Sequence, residues 1–166
     1  MPRIFVVKKC RLGKGLFAAR EIKKGEIILE FNGRVMSGNE VLKSGRESYP
    51  IQIGADKYMD WGKPGEIINH SCNPNAGVKS NNQVIAIKDI KKGEEITWDY
   101  STSMDEDDWE MDCKCGSKNC RKRIRDFKYL PKSLQKKYLK LGIVQGFIAK
   151  KFAKKRLKAA KPPSTE

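Results

Sequence analysis

The chain predicts a mostly β body with small helices, followed by a helical, basic extension. Three observations carry that prediction. Short runs of Val, Ile and aromatic residues recur between turn signals as far as Tyr100. From Pro131 the apolar spacing becomes helical. The charge divides along the same line: residues 1–120 hold 19 Lys/Arg against 18 Asp/Glu, and residues 121–166 hold 16 against 2. A nearly neutral body carrying a cationic tail follows from that asymmetry.

The strands with the strongest β composition are Ile4–Val7, Ile27–Phe31, Tyr49–Ile53, Ala76–Val78 and Val84–Ile87. Lys24-Gly25, Asn32-Gly33 and Asn81-Asn82 supply turns between them. A local echo links Arg20-Glu21-Ile22-Lys23-Lys24-Gly25-Glu26-Ile27 with Lys88-Asp89-Ile90-Lys91-Lys92-Gly93-Glu94-Glu95-Ile96. Each copy reads as a polar turn leading into a strand, a repeated device and not a repeat architecture. In the tail, Leu134, Tyr138, Leu139 and Leu141 form one helical stripe and Val144, Phe147, Ile148 and Phe152 a second, with Gly142 breaking the two. The last six residues, ending Pro162-Pro163-Ser164-Thr165-Glu166, read as frayed.

No stretch approaches the roughly 18 apolar residues of a membrane span, and no signal-type apolar stretch opens the chain. The expectation is an intracellular protein, cytoplasmic or associated with chromatin or a nucleoid, and nuclear in a eukaryote. The chain has five cysteines, and three fall in Cys113-Lys114-Cys115-Gly116-Ser117-Lys118-Asn119-Cys120. An odd number so tightly spaced argues against a disulfide framework and for thiolate ligation of a metal. A closed tetrahedral site wants a fourth ligand, for which Cys72 and Cys10 are the candidates.

Other motifs are informative mainly together. Gly13-Lys14-Gly15 before Leu16-Phe17 would let bare backbone approach a ligand, but alone such glycines are ordinary turns. Asn69-His70-Ser71-Cys72-Asn73-Pro74-Asn75 holds the only histidine, for which a dyad or a His-based metal site lacks identifiable partners. Trp98-Asp99-Tyr100 closes a strand, where aromatic residues are usually core. Asp105 to Asp112 is an acidic run around Trp109 that reads as a solvated connector, or as a negative rim attracting a basic segment.

In this order the motifs resemble the active-site half of a SET-domain protein lysine methyltransferase with a post-SET zinc-binding segment. The resemblance covers roughly residues 3 to 125. It implies small, twisted sheets with a knot-like C-terminal segment, divided into a SET domain at 2–101, a post-SET segment at 109–125 and the basic helical extension at 126–166. It implies binding of S-adenosylmethionine by Gly13, Lys14, Gly15, Leu16, Tyr49, Asn69, His70 and Lys114. It selects Cys72 to complete one structural zinc site with Cys113, Cys115 and Cys120, leaving Cys10 over.

The implied reaction moves the methyl group of S-adenosylmethionine to a lysine of a basic protein, histone, chromatin-like or ribosomal. Tyr100 would be catalytic, with Tyr49 and Trp98 walling the channel. Trp98 departs from the family, which usually has Phe or Tyr there, so the degree of methylation is not implied. A catalytically weak SET-like module docking on chromatin or ribonucleoprotein is the alternative. The lysine-rich helices read either as a solvated face over a packed stripe or as a polyanion contact through residues 121–161, to phosphate and sensitive to salt.

Overall fold

The computed structural model describes residues 3–47, 49–80 and 82–159, with side chains to Lys154. The described residues form four small sheets, three α-helices and short 3₁₀ turns. The first sheet has the order β1-β2-β10-β7, from Phe5–Cys10, Gly13–Ala18, Glu95–Trp98 and Asn69–His70. The second is β4-β6-β5, from Arg34–Met36, Lys57–Asp60 and Ile51–Gly54. The third is β3-β9-β8, from Ile27–Glu30, Gln83–Ala86 and Ala76–Lys79. Met111–Asp112 (β11) and Arg123–Ile124 (β12) pair as a short ribbon. The helices are α1, Gly38–Ser44; α2, Lys132–Leu141; and α3, Gly146–Ala159.

The five expected strands are present with ends shifted by one to three residues. Gly13–Ala18 differs from expectation. It is a strand and not a loop, paired with β1 on one side and β10 on the other. The glycines that lower its β propensity have separate uses. Gly13 takes φ 104° at the end of the β1–β2 hairpin turn, which a side chain would resist. Gly15 leaves room for neighbours described below. Helix α1 was not expected. Its signal is a capping box: the Ser37 side chain accepts from the Glu40 N–H, and the Glu40 carboxylate accepts from the Ser37 N–H.

The echo acquires a physical meaning. Its two copies pair with each other through an antiparallel bridge, Ile22 N–H to Ile90 O and Ile90 N–H to Ile22 O, both 2.9 Å. Both isoleucines are fully buried. Gly25 and Gly93 take φ 88° and 87°, and their N–H groups donate to Ala86 O and Ala18 O, each at 2.8 Å. The repeated turn thus closes the centre of the molecule with near two-fold symmetry. Leu16, Ile22, Ile28, Ile68, Val78, Val84, Ile90 and Ile96 fill the core around it.

The tail is not a free arm. Tyr138, Ile143, Val144 and Ile148 are buried with Phe127 and Leu130, and the group packs on Ile85 of the third sheet and on Ile87 just beyond it. A Cβ on Gly77 would come within 2.5 Å of Ile143, so that glycine sets how closely α2–α3 approaches β8. Lys132, Lys136, Lys137, Lys140, Lys150, Lys151 and Lys154 of the two helices stay exposed. The fraying expected at the C-terminus falls outside the described residues. No described helix is long and apolar enough to cross a membrane.

Candidate functional site

Two residues of β7 organise the site. Asn69 and His70 pair in parallel with Thr97 and Trp98 of β10, which brings the Asn-His and Trp-Asp-Tyr motifs to one place. The chain then turns into a 3₁₀ helix, Tyr100–Ser103, capped by Asp99. The Tyr100 N–H donates to His70 Nδ1 at 3.2 Å. That assigns the imidazole proton to Nε2, which faces Cys72 Sγ at 3.4 Å. Burial pushes the His70 pKa down to about 4, against the opposing pull of Asp99. The ring is therefore neutral at neutral pH, a positioning group and not a charged one.

Tyr100 faces a cavity of about 460 Å³ whose walls include Tyr49, Tyr58, Trp61, Trp98 and Glu106. Its hydroxyl donates to Ile68 O at 2.9 Å. Burial raises its pKa to about 12, so it stays protonated. An aromatic series stands behind it: Phe31–Trp61, Trp61–Trp98 and Trp98–Tyr100 have ring centroids 4.9, 5.7 and 5.0 Å apart. Trp98 is 4% exposed and filled against this series. Tyr49 is half exposed, and its carbonyl accepts from Trp61 Nε1 at 2.9 Å. It lies on the cavity wall with Tyr100; the small cleft beside Asn69 and His70 is lined by other residues.

Sequence reasoning missed Trp61 and Tyr58, and gave Glu106 only as part of the acidic run. Tyr58 and Trp61 frame the end of β6, and the Tyr58 hydroxyl donates to Glu106 across the cavity wall. Burial raises the pKa of Glu106. The acidic run is thus neither a bare connector nor a continuous rim. Asp105 pairs with Lys151, Asp107 with Lys128, and Glu110 with Arg123. Glu106 and Asp108 remain on the cavity wall, which Glu47 and Asp56 also line.

A second cleft, about 140 Å³, is lined by Asn69 and His70 with Arg11, Leu12, Glu95 and Cys115. The Asn69 amide donates to Lys14 O at 3.0 Å and to Glu95 Oε1 at 2.7 Å. A Cβ on Gly15 would overlap the Glu95 carboxylate and lie 3.2 Å from Asn69 Nδ2. A side chain at Gly15 would force the Glu95 carboxylate to move away from Asn69. Glu95 is a further residue the sequence reading left without a role. Gly13 and Lys14 are exposed beside the cleft, whereas the Leu16 side chain is wholly in the core and its backbone is paired on both sides. Lys114 is exposed, and its carbonyl accepts from the Arg11 guanidinium, which ties the hairpin tip to the cysteine segment.

Cys72, Cys113, Cys115 and Cys120 place their sulfur atoms within 4.8 Å of one another. Cys72 and Cys113 are 3.8 Å apart. Four sulfurs around one tetrahedral ion sit about 3.8 Å apart, from bonds of about 2.3 Å. The Arg121 N–H donates to Cys72 Sγ at 3.3 Å, a contact suited to thiolate. The group could hold a metal ion. Cys10 is not part of it and lies near the Asn69 amide, at 3.5 Å.

Comparison with known proteins points one way. The SET domain family model matches residues 13–101. The chain is 37% identical over 137 residues to the variant-silencing SET domain-containing protein of Plasmodium falciparum, covering 69% of this chain and 5% of that protein. It is 31% identical over 137 residues to human histone-lysine N-methyltransferase 2D, covering 72% of this chain and 2% of that protein. The chain therefore spans a few per cent of the length of these relatives. Among solved structures, ctPRC2 in an autoinhibited conformation bound to S-adenosylmethionine aligns with TM-score 0.55 and 28% identity, over 63% of this chain and 16% of that one. A humanized mutant of the Chaetomium thermophilum Polycomb Repressive Complex 2 bound to an inhibitor gives TM-score 0.53 and 28% identity, over 63% of this chain and 16% of that one. The family model alone spans more than half of the chain and includes both strands that carry the site, so this protein belongs to the SET-domain family.

Proposed function

We propose that the chain is a protein-lysine N-methyltransferase that uses S-adenosylmethionine. The observation that carries this reading is the placement of Tyr100 on the larger cavity while its neighbours in the β7–β10 pair, Asn69 and His70, line the smaller cleft. A lysine side chain entering from one side and a methyl donor held on the other would meet between them. S-adenosylmethionine would supply a sulfonium methyl group, open to displacement by an amine. Gly13, Lys14, Asn69, His70 and Lys114 are the residues proposed to hold it, and the lining of the cleft by Asn69 and His70 supports that assignment.

The nucleophile must be a neutral amine. Removing its proton at pH 7 costs about 4–5 kcal/mol for a lysine of ordinary pKa. The aromatic walls Tyr49, Trp61 and Trp98 disfavour the ammonium where the amine reaches them and offset part of that cost, whereas Glu47, Asp56 and Asp108 on the same cavity act the other way. Tyr100 is suited to orient and not to deprotonate. Its proton is committed to Ile68 O, which leaves the phenol oxygen as an acceptor for an amine N–H. In-line alignment would then supply the larger part of the rate.

A zinc ion on Cys72, Cys113, Cys115 and Cys120 would be structural, holding residues 113–121 against the cleft. The substrate is proposed to be a basic protein segment, histone, chromatin-like or ribosomal. Carboxylates of Glu47, Asp56 and Asp108 at the cavity support it, as do relatives named for histone lysine. Chromatin association fits the same relatives, and the exposed lysines of α2 and α3 would add phosphate contacts if the substrate is bound to nucleic acid. The test is transfer of labelled methyl from S-adenosylmethionine to bulk cellular protein, with the modified side chain identified. Binding of the cofactor without transfer to any lysine would leave the weak docking module instead.

A further inference from the structure

Asp99 lies between Trp98 and Tyr100 and is 1% exposed. A carboxylate so buried must be compensated on both oxygens. Arg121 forms a fork on it, Nη2 to Oδ1 and Nη1 to Oδ2, both at 2.7 Å. The Ser101 N–H donates to Oδ1 at 3.2 Å. The remaining partner comes from beyond the cysteine segment: the Tyr138 hydroxyl of α2 donates to Oδ2 at 3.0 Å. Tyr138 is itself 1% exposed and lies outside residues 13–101.

Asp99 is also the cap of the 3₁₀ turn that begins with Tyr100. Its carbonyl accepts from the Thr102 N–H at 3.0 Å and from the Thr102 hydroxyl at 2.8 Å. The rotation of this one residue therefore sets the direction in which Tyr100 leaves the strand. Arg121 reaches Asp99 with its side chain and Cys72 Sγ with its backbone N–H, so the same carboxylate joins the cysteine cluster to the turn.

We propose that Tyr138 is a positioning residue for Tyr100, acting through Asp99, so that α2 belongs to the working site and is not only a covering helix. The proposal rests on the methyltransferase reading of Tyr100. Tyr138 holds the oxygen of Asp99 that the Ser101 N–H does not reach. Without its hydroxyl Arg121 alone restrains that oxygen, and the turn carrying Tyr100 gains freedom.

The test uses the full chain with Tyr138→Phe, which keeps the ring in its packed place and removes one hydroxyl. The expected result is a fall in kcat of about tenfold on a lysine peptide, with KM for peptide and for S-adenosylmethionine changed by less than about twofold. Added to Asp99→Asn, the substitution should cost less than about a further twofold, because both act on one contact. Ile148→Val, in the same apolar cluster but away from Asp99, is the control for destabilisation alone and should lower Tm without lowering kcat. Arg121→Lys keeps the charge, loses the fork, and carries the same expectation if Tyr138→Phe does not fold. An unchanged kcat in Tyr138→Phe, or a fall no larger than in Ile148→Val, overturns the proposal. If the unaltered chain transfers no methyl group, the methyltransferase reading fails separately. Hydrogen exchange then decides: faster exchange over residues 99–103 in Tyr138→Phe, with β8 unchanged, upholds the contact, and unchanged exchange overturns it.

Discussion

Ending the chain at Phe127 would remove 12 of its lysines and arginines, and on charge alone this would trim only a basic arm. The packing predicts something else. The cut removes Leu130, Ile143, Val144 and Ile148, each no more than 6% exposed, together with Tyr138. Burial of each aliphatic side chain is worth about 1.5–3 kcal/mol, or about 6–12 kcal/mol for the four. Ordering two helices offsets much of that. The cut also uncovers Phe127, Ile85 and Ile87 and leaves the Asp99 carboxylate without its Tyr138 partner. A net loss of only about 3 kcal/mol would lower Tm by about 6–12 °C in a chain of this size, against a whole-domain stability of about 5–15 kcal/mol. Thermal unfolding followed by circular dichroism checks this. A chain ending at Phe152, which keeps every buried residue of the cluster, should melt within about 3 °C of the full length. A chain ending at Phe127 that melts equally close to full length would refute the reasoning and return the helices to the status of an appendage.

Tyr100→Phe should cut turnover at least about tenfold, about 1.4 kcal/mol of barrier, while leaving cofactor affinity within about twofold by calorimetry; unchanged turnover in the folded variant removes Tyr100 from the mechanism. Metal analysis of the full chain should give one zinc per chain, and Cys115→Ser well under one, with activity lost on chelation. Full metal retention in Cys72→Ser would exclude that residue as a ligand. Gly15→Ala should weaken cofactor binding about tenfold or more, about 1.4 kcal/mol, because the new methyl group meets the Glu95 carboxylate and the Asn69 amide. Equal affinity in Gly15→Ala would show that the cleft beside Asn69 is not where the cofactor binds.

Much of this arrangement is legible in the sequence wherever the information is local. The short strands, the break at Gly142 and the three clustered cysteines can be read from composition and spacing, and the resemblance supplied Cys72 as the fourth. The Gly-x-Gly strand is harder, since glycine argues against a strand. Its β state is set by partners on both sides, β1 and β10, and the latter lies some eighty residues away in sequence. Glu95, Trp61 and Glu106 are not legible for the same reason. Each gains its role from a neighbour distant in the chain, Asn69, Tyr49 or Tyr58. The echo was visible as a repeated turn, but only the Ile22–Ile90 bridge shows that the two turns are each other's partners. The stripe of the tail helices was visible too; what it packs against was not.

The sole histidine joins these parts. His70 accepts from the Tyr100 N–H with Nδ1 and directs Nε2 toward Cys72 Sγ. One ring therefore touches both the turn that carries Tyr100 and the first sulfur of the cysteine cluster. Those two contacts need opposite behaviour, an acceptor on one nitrogen and a donor on the other, which only neutral imidazole offers. A protonated ring would present two donors and lose the Tyr100 contact. Burial that lowers its pKa to about 4 therefore preserves a geometry and does not tune a base. Tyr100, held protonated by a pKa near 12 with its proton given to Ile68 O, is not a base at neutral pH either. Neither side chain is equipped to take the proton from an incoming ammonium. With neither group acting as a base, the proposed transfer draws on the neutral fraction of the bound amine, so its rate should rise with pH toward that amine's pKa.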